Sequence, residues 1–251
     1  MQTVRLYLLL VAGVLCVAAC GQNRSNSGTS AASPPDTAAP TASPTSTAPV
    51  DTAQSSETEG LRVLVLGNSI AAGSGVSPEQ AFPARLQENV DSLGWNVRIQ
   101  NAGVSGETTA GGIRRIGWLL NEEVDVLLLE LGGNDGLRGL DLSTTEQNLK
   151  GIIDTTLATY PQAKVLLAGM RIPPNLGPEY TEQFRQIYPT VAEQYAQVTL
   201  IPFILQDVAD VDSLMQDDGI HPTAAGHRLV AQNVWTKLRP MLEQLRAKEP
   251  T

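Results

Sequence analysis

From Leu61 onward, short apolar runs alternate with longer segments whose apolar positions recur at helical spacing. The candidate strands are Val63–Leu66, Val97–Gln100, Val124–Leu131, Val165–Ala168 and Val198–Ile201. The first, Val63-Leu64-Val65-Leu66, is apolar at every position, as expected of a parallel strand covered on both faces. Residues 83–93, 109–119, 145–160 and 179–195 read as helices, and a last helix is expected over 223–245, bent near Pro240. Regular strand–helix alternation predicts a parallel sheet with helices on both faces, a three-layer α/β sandwich. The expected sheet has five strands in a flavodoxin-like order, in one domain over 61–251 with no internal repeat.

Before Leu61 this pattern is absent. Arg5 gives a positive start, Leu6 to Ala19 is an apolar run, and small residues precede Cys20. The run is too short to span a bilayer of ~30 Å as a helix and reads as a signal segment over 1–20. Val17-Ala18-Ala19-Cys20 resembles a bacterial lipobox, which implies cleavage before Cys20 and lipid attachment to it. The alternative is an ordinary secretory signal with an incidental cysteine. Residues 21–60 are Ser, Thr, Ala and Pro with almost no large apolar side chain, and such a segment cannot offset its ordering entropy. It is expected to be a disordered tether with a reach of about 35 Å. Cys16, the only other cysteine, leaves with the signal, so the mature chain has no disulfide. The expected location is the bacterial cell envelope, at the outer membrane where there is one, because Gly21 is not the Asp of inner-membrane retention. The expected state is a monomer.

A net charge of −9 without a basic cluster argues against nucleic acid, since phosphate neutralisation needs Lys and Arg gathered on one face. It argues equally against electrostatic docking to anionic lipid, though not against a lipid anchor.

Polar, glycine-rich segments follow the strands: Gly67-Asn68-Ser69, Asn101 to Thr108, Gly132 to Gly136, and Asp217 to Pro222. In a parallel sheet all four meet at the carboxyl edge, where open α/β sheets bind ligands. Ser69, just past a buried strand, is the candidate nucleophile; taken alone it reads more readily as a helix N-cap. A phosphate-binding loop is excluded by the lack of the Gly-Lys-Ser/Thr ending and of G-x-G-x-x-G. A serine hydroxyl needs a base in hydrogen-bond reach. The chain has two histidines, His221 in a turn and His227 in a helical run where a surface or half-buried structural role fits better. Asp218, three residues before His221, is placed to hold its ring, with Asp217 as the second candidate. No cofactor is expected. A metal reading of this acidic turn fails, as there is no H-E-x-x-H, no cysteine pair and no EF-hand loop. Gly106, Asn134 and the Ser69 N–H could supply oxyanion donors, although Gly106 alone reads as a turn glycine and Asn134 as a loop-capping amide.

Taken in order, Gly67-Asn68-Ser69-Ile70, the Gly106 loop, Gly132-Gly133-Asn134-Asp135 and Asp218-Gly219-Ile220-His221-Pro222 resemble the four blocks of the SGNH (GDSL) hydrolases. The segments 130–139 and 215–222 look like the bacterial branch of multifunctional acyl-thioesterases, lysophospholipases and arylesterases. The resemblance covers 61–245. It implies Ser69 as nucleophile, His221 as base, Asp218 rather than Asp217 as its orienter, and Ser69, Gly106 and Asn134 as the oxyanion hole. Asn68 stands where the family usually has Asp, which keeps size and one acceptor but loses the charge.

The segment Met170 to Gly177 resembles the one that shapes the acyl groove in that branch, with Ile172 and Pro173 as substrate contacts; otherwise it is a proline-stiffened surface loop. The expectation is a serine esterase acting on aryl and acyl esters and lysophospholipids, with acyl thioesters as further substrates. A carbohydrate O-acetylesterase acting on envelope glycans would use the same triad. A non-catalytic tethered binding module would be expected to have lost one of Ser69, Asp218 and His221.

Overall fold

The computed structural model describes residues 60–248. The expectations for the signal, for Cys20 and for all but the last residue of the tether therefore lie outside the described residues.

Five strands form one parallel sheet: β1 Leu61–Gly67, β2 Val97–Asn101, β3 Val126–Glu130, β4 Lys164–Ala168 and β5 Val198–Ile201. Their order is β2-β1-β3-β4-β5, the flavodoxin-like order expected. β1 and β3 are buried along their whole length, and this is why, Arg62 and Glu130 apart, their sequences are apolar without alternation. β2 and β5 lie at the edges and are covered less completely, so their sequences carry Arg98, Gln100 and Thr199. Among the described residues seven helices connect and cover the strands: α1 Ser69–Ala72, α2 Phe82–Ser92, α3 Thr109–Leu119, α4 Gly133–Leu137, α5 Leu142–Thr159, α6 Pro178–Ala192 and α7 Ala224–Arg246. The strand order reverses between β1 and β3. With right-handed crossovers, the β1-to-β2 connection falls on one face and the following ones on the other. The packing agrees: α2 lies against α7, while α5 lies against both α3 and α6.

α3, α5 and α7 begin at side-chain caps, whereas α2 and α6 begin at a proline in their first turn. Thr108 accepts from the Gly111 N–H, Asp141 from Thr144 and Thr223 from Gly226. The Asp141 cap starts α5 at Leu142, three residues earlier than its apolar spacing predicts. α7 runs on through Pro240 as one helix. Two further expectations are corrected at the carboxyl edge. The Gly132–Gly136 segment is helical from Gly133, and Ser69 also lies in a helical turn, where loops were expected. No helix among the described residues is long and apolar enough to cross a membrane.

His227 is fully buried rather than at the surface or half-buried. Its Nδ1 accepts the Phe82 N–H at 3.3 Å, and burial pushes its pKa down to about 4. The unfolded chain therefore binds a proton below about 6.5 that the folded chain refuses until about 4. Stability contributed by the neutral ring is complete above 6.5 and lost as pH falls through that window, on the order of 3 kcal/mol in all. Glu130, raised from 4.5 to about 8, acts with the opposite sign over 4.5–8, so the parent's own curve mixes the two. A His227→Asn variant, which keeps an acceptor for Phe82, is expected to lose less thermal stability than the parent between pH 7 and pH 5. Equal losses in the two proteins would contradict this account.

Candidate active site

β1 and β3 end level with one another, Gly67 in register with Glu130, at the reversal of strand order. Open α/β sheets form a crevice at this point, and the segments after β1 and β3 form its walls. Asn68 is the N-cap of α1, its Oδ1 accepting the Ile70 N–H at 2.9 Å. The cap position that Ser69 could have filled is thus taken by its neighbour, and the serine is left half-buried with its hydroxyl free to face the crevice. An amide caps as well as a carboxylate, so Asn68 preserves the turn without the charge.

His221 meets the serine across 152 positions of sequence, Nε2 2.8 Å from Ser69 Oγ. Its Nδ1 lies 2.6 Å from Asp218 Oδ2. Asp218 Oδ1 accepts the backbone N–H groups of Ile220 (2.9 Å) and His221 (3.0 Å), so one carboxylate fixes both the turn and the ring. The bond to His221, ahead of those two N–H groups, lowers its pKa to about 2. That carboxylate stays charged throughout the range in which an imidazole can act as a base. Asp217, the other candidate, makes no bond to the ring among the described contacts. Gln216 holds the turn against the serine side: its Nε2 donates to the Ser74 and Pro222 carbonyls, and its N–H donates to the His221 carbonyl.

Gly106 and Asn134 are brought to the same edge. Gly106 takes φ +79°, a conformation that disfavours any side chain, and its carbonyl accepts from Arg138. Asn134 sits in the first turn of α4 and donates one amide proton to the Glu107 carbonyl at 2.9 Å, which leaves its second proton for a ligand. Arg115 clamps this loop from below: Nε donates to Glu107 Oε1 at 2.7 Å, and a second nitrogen reaches the Ala102 carbonyl. Asp135, buried, accepts both the N–H and the hydroxyl of Thr109, so α4 is tied to the start of α3.

The crevice has a volume of about 450 Å³ and is bordered by Ser69, Asn134 and His221. Its walls are largely apolar, formed by Leu137, Met170, Ile172, Pro173, Phe203 and Ile220. Ile172 and Pro173 both border this crevice. Arg171 stacks on Phe203, its guanidinium carbon 4.5 Å from the ring centre.

The roles of Glu130, Asp135, Arg115, Arg138 and Gln216 were not legible in advance. Only Glu130 left a trace, as a carboxylate closing an otherwise apolar strand. The others act through contacts set by the fold.

A hydroxyl, an imidazole and a carboxylate in one hydrogen-bonded line, beside N–H donors without acceptors among the described residues and an apolar cleft, make a machine for acyl transfer. Comparison with known proteins agrees. Residues 65–229 match the model of the GDSL-like lipase/acylhydrolase family. The chain is 44% identical over 181 residues to esterase TesA of Pseudomonas aeruginosa, covering 72% of this chain and 89% of that protein. It is 38% identical over 181 residues to thioesterase 1/protease 1/lysophospholipase L1 of Escherichia coli K12, covering 72% and 84%. Among solved structures, a crystal structure of TesA superposes with a TM-score of 0.68 at 42% identity, covering 72% of this chain and 99% of that one.

Proposed function

Because the chain belongs to the GDSL-like lipase/acylhydrolase family and is a serine esterase, we propose that it cleaves short to medium acyl esters through an acyl-enzyme on Ser69. The observation that carries this is the Asp218–His221–Ser69 line, with contacts of 2.6 and 2.8 Å, opening on the apolar cleft.

Ser69 Oγ attacks the ester carbonyl carbon while His221 Nε2 takes the hydroxyl proton. The carbonyl π electrons move to oxygen, and the N–H groups of Ser69, Gly106 and Asn134 receive that charge at roughly 3 kcal/mol each. Collapse re-forms the carbonyl and expels the alkoxide or thiolate, which leaves with the proton from His221. Water then repeats the sequence on the acyl-serine, gives its proton to His221, and releases the acid and the free hydroxyl. Asp218 stays ionised and holds the imidazole in the tautomer both halves require.

The E. coli relative's name covers thioester and lysophospholipid cleavage, and both come into range here. The sequence from Arg5 to Cys20 supports a lipid anchor at the cell envelope, outside the cytoplasm, where acyl-CoA is scarce. Esters and lysophospholipids are therefore the favoured natural substrates.

A series of p-nitrophenyl esters tests the acyl range. Each methylene buried in the cleft is worth about 0.8 kcal/mol, so two of them raise kcat/KM by about tenfold from acetate to butyrate. Acetyl release from an acetylated glycan, with no gain along the series, would instead identify an O-acetylesterase. Failure of a fluorophosphonate to label the protein would leave only a binding module.

A further inference from the structure

One carboxyl beside the site takes no part in the acyl-transfer steps. Glu130 ends β3, is fully buried, and lies under the turn that carries Ser69. Its Oε2 accepts the N–H groups of Asn68 at 3.0 Å and Ala71 at 3.2 Å. Its Oε1 is buried without a partner among the described residues. The space it occupies exists because residue 67 is glycine: a Cβ there would come within 2.5 Å of Glu130 Oε2.

We propose that Glu130 is a positioning residue for the reaction, holding the nucleophile turn so that the Ser69 hydroxyl faces His221 and the Ser69 N–H faces the oxyanion. The proposal rests on the esterase reading above. α1 has four residues, too few to support themselves, and the N–H groups of its first turn need acceptors from elsewhere. They find them in a pattern. Asn68 N–H is shared between the Glu130 carboxyl and its backbone carbonyl, Ala71 N–H goes to the same carboxyl, Ile70 N–H to the Asn68 side chain, and Ala72 N–H to the Asn68 carbonyl. Only the Ser69 N–H has no acceptor among the described residues. Glu130 and Asn68 together thus satisfy every donor of the turn except the one the tetrahedral intermediate needs.

The charge state of Glu130 then matters. Burial, with no cation against it, raises its pKa to about 8. Around it stand Glu107 from the loop after β2, which adds to the rise, the Asn68 side chain, and Tyr188 from α6, whose hydroxyl donates to the Leu131 carbonyl. Asp135 from α4 is occupied by Thr109, and Arg115 is spent on Glu107. At neutral pH the carboxyl is uncharged. Above about 8 it gains a negative charge beneath the oxyanion donors, where it opposes the charge that develops in the transition state.

Steady-state hydrolysis of p-nitrophenyl butyrate between pH 6 and 10 tests this on the parent, Glu130→Gln and Glu130→Ala. The parent is expected to lose kcat as pH rises through about 8, with KM unchanged. Glu130→Gln keeps an acceptor for the turn but cannot ionise. Its kcat at pH 7 should stay within about threefold of the parent, and its alkaline decline should be gone. Glu130→Ala should lower kcat at least about tenfold at near-constant KM, because the buried Ala71 N–H loses its acceptor and the Asn68 N–H is left with the residue 130 backbone carbonyl alone. An alkaline decline that persists in Glu130→Gln overturns the proposal, as does a folded Glu130→Ala with the parent's kcat. If circular dichroism shows Glu130→Ala unfolded, the Glu130→Gln profile decides alone. A parent that hydrolyses no ester sinks the esterase reading itself, and the proposal with it.

Discussion

Replacing Ser69 with alanine is expected to reduce kcat on p-nitrophenyl butyrate by roughly five to six orders of magnitude. In the proposed mechanism the hydroxyl forms the acyl bond, and among the described residues no other hydroxyl or thiol borders the cleft to replace it: its polar lining is otherwise Asn68, Asn134, Arg171, Asp210 and His221. The fold should not register the change. Ser69 is half-buried in the first turn of α1, and its hydroxyl bonds to His221 rather than to the scaffold. Alanine suits a helical position at least as well as serine. The thermal midpoint is therefore expected within a few degrees of the parent's, and covalent labelling by a fluorophosphonate should disappear. Adding His221→Ala to Ser69→Ala should cost little more, since the two side chains act as one unit. Retention of parental turnover in the single variant would end the assignment of nucleophile.

The sheet was legible because its central strands have no solvent face: Val63–Leu66 and Val126–Leu129 could hardly belong anywhere but the middle of a covered sheet. The histidine could be found by elimination, there being two in the chain, and its serine by position after a buried strand. Telling Asp218 from Asp217 was a different matter. Residues so close in sequence differ only in which way the turn directs them, and the family resemblance made that choice before the geometry did. What stayed hidden has a common physical cause. α1 and α4 are single turns, which no local propensity can specify. They are helical because Asn68 caps one, Glu130 receives its N–H groups from 62 and 59 positions away, and Asp135 ties the other to Thr109. A buried acid looks the same in sequence as an exposed one until the strand order that covers it is known. His227 is the same case in reverse, a histidine in an amphipathic helix whose burial depends on α2 packing over it.

Truncation of Asn134 to alanine is expected to lower kcat by about a hundred- to a thousandfold while KM changes by no more than a few-fold. The ratio follows from when the contact forms. The spare amide proton of Asn134 has no acceptor in the free enzyme and a weak one in a ground-state carbonyl, and it gains a full negative charge only in the tetrahedral intermediate. Its other proton holds the Glu107 carbonyl, next to the glycine at φ +79° that offers a second donor. Losing the side chain therefore removes one donor and loosens another. Asn134→Asp separates shape from donation: it fills the same volume but offers no N–H, and it should fall at least as far as alanine because it adds a charge facing the oxyanion. The split between the two kinetic constants is the decisive reading. A variant whose KM rises while kcat holds would mean that Asn134 binds the ground state as strongly as the transition state, and the oxyanion hole would then have to be built from the N–H groups of Ser69 and Gly106 alone.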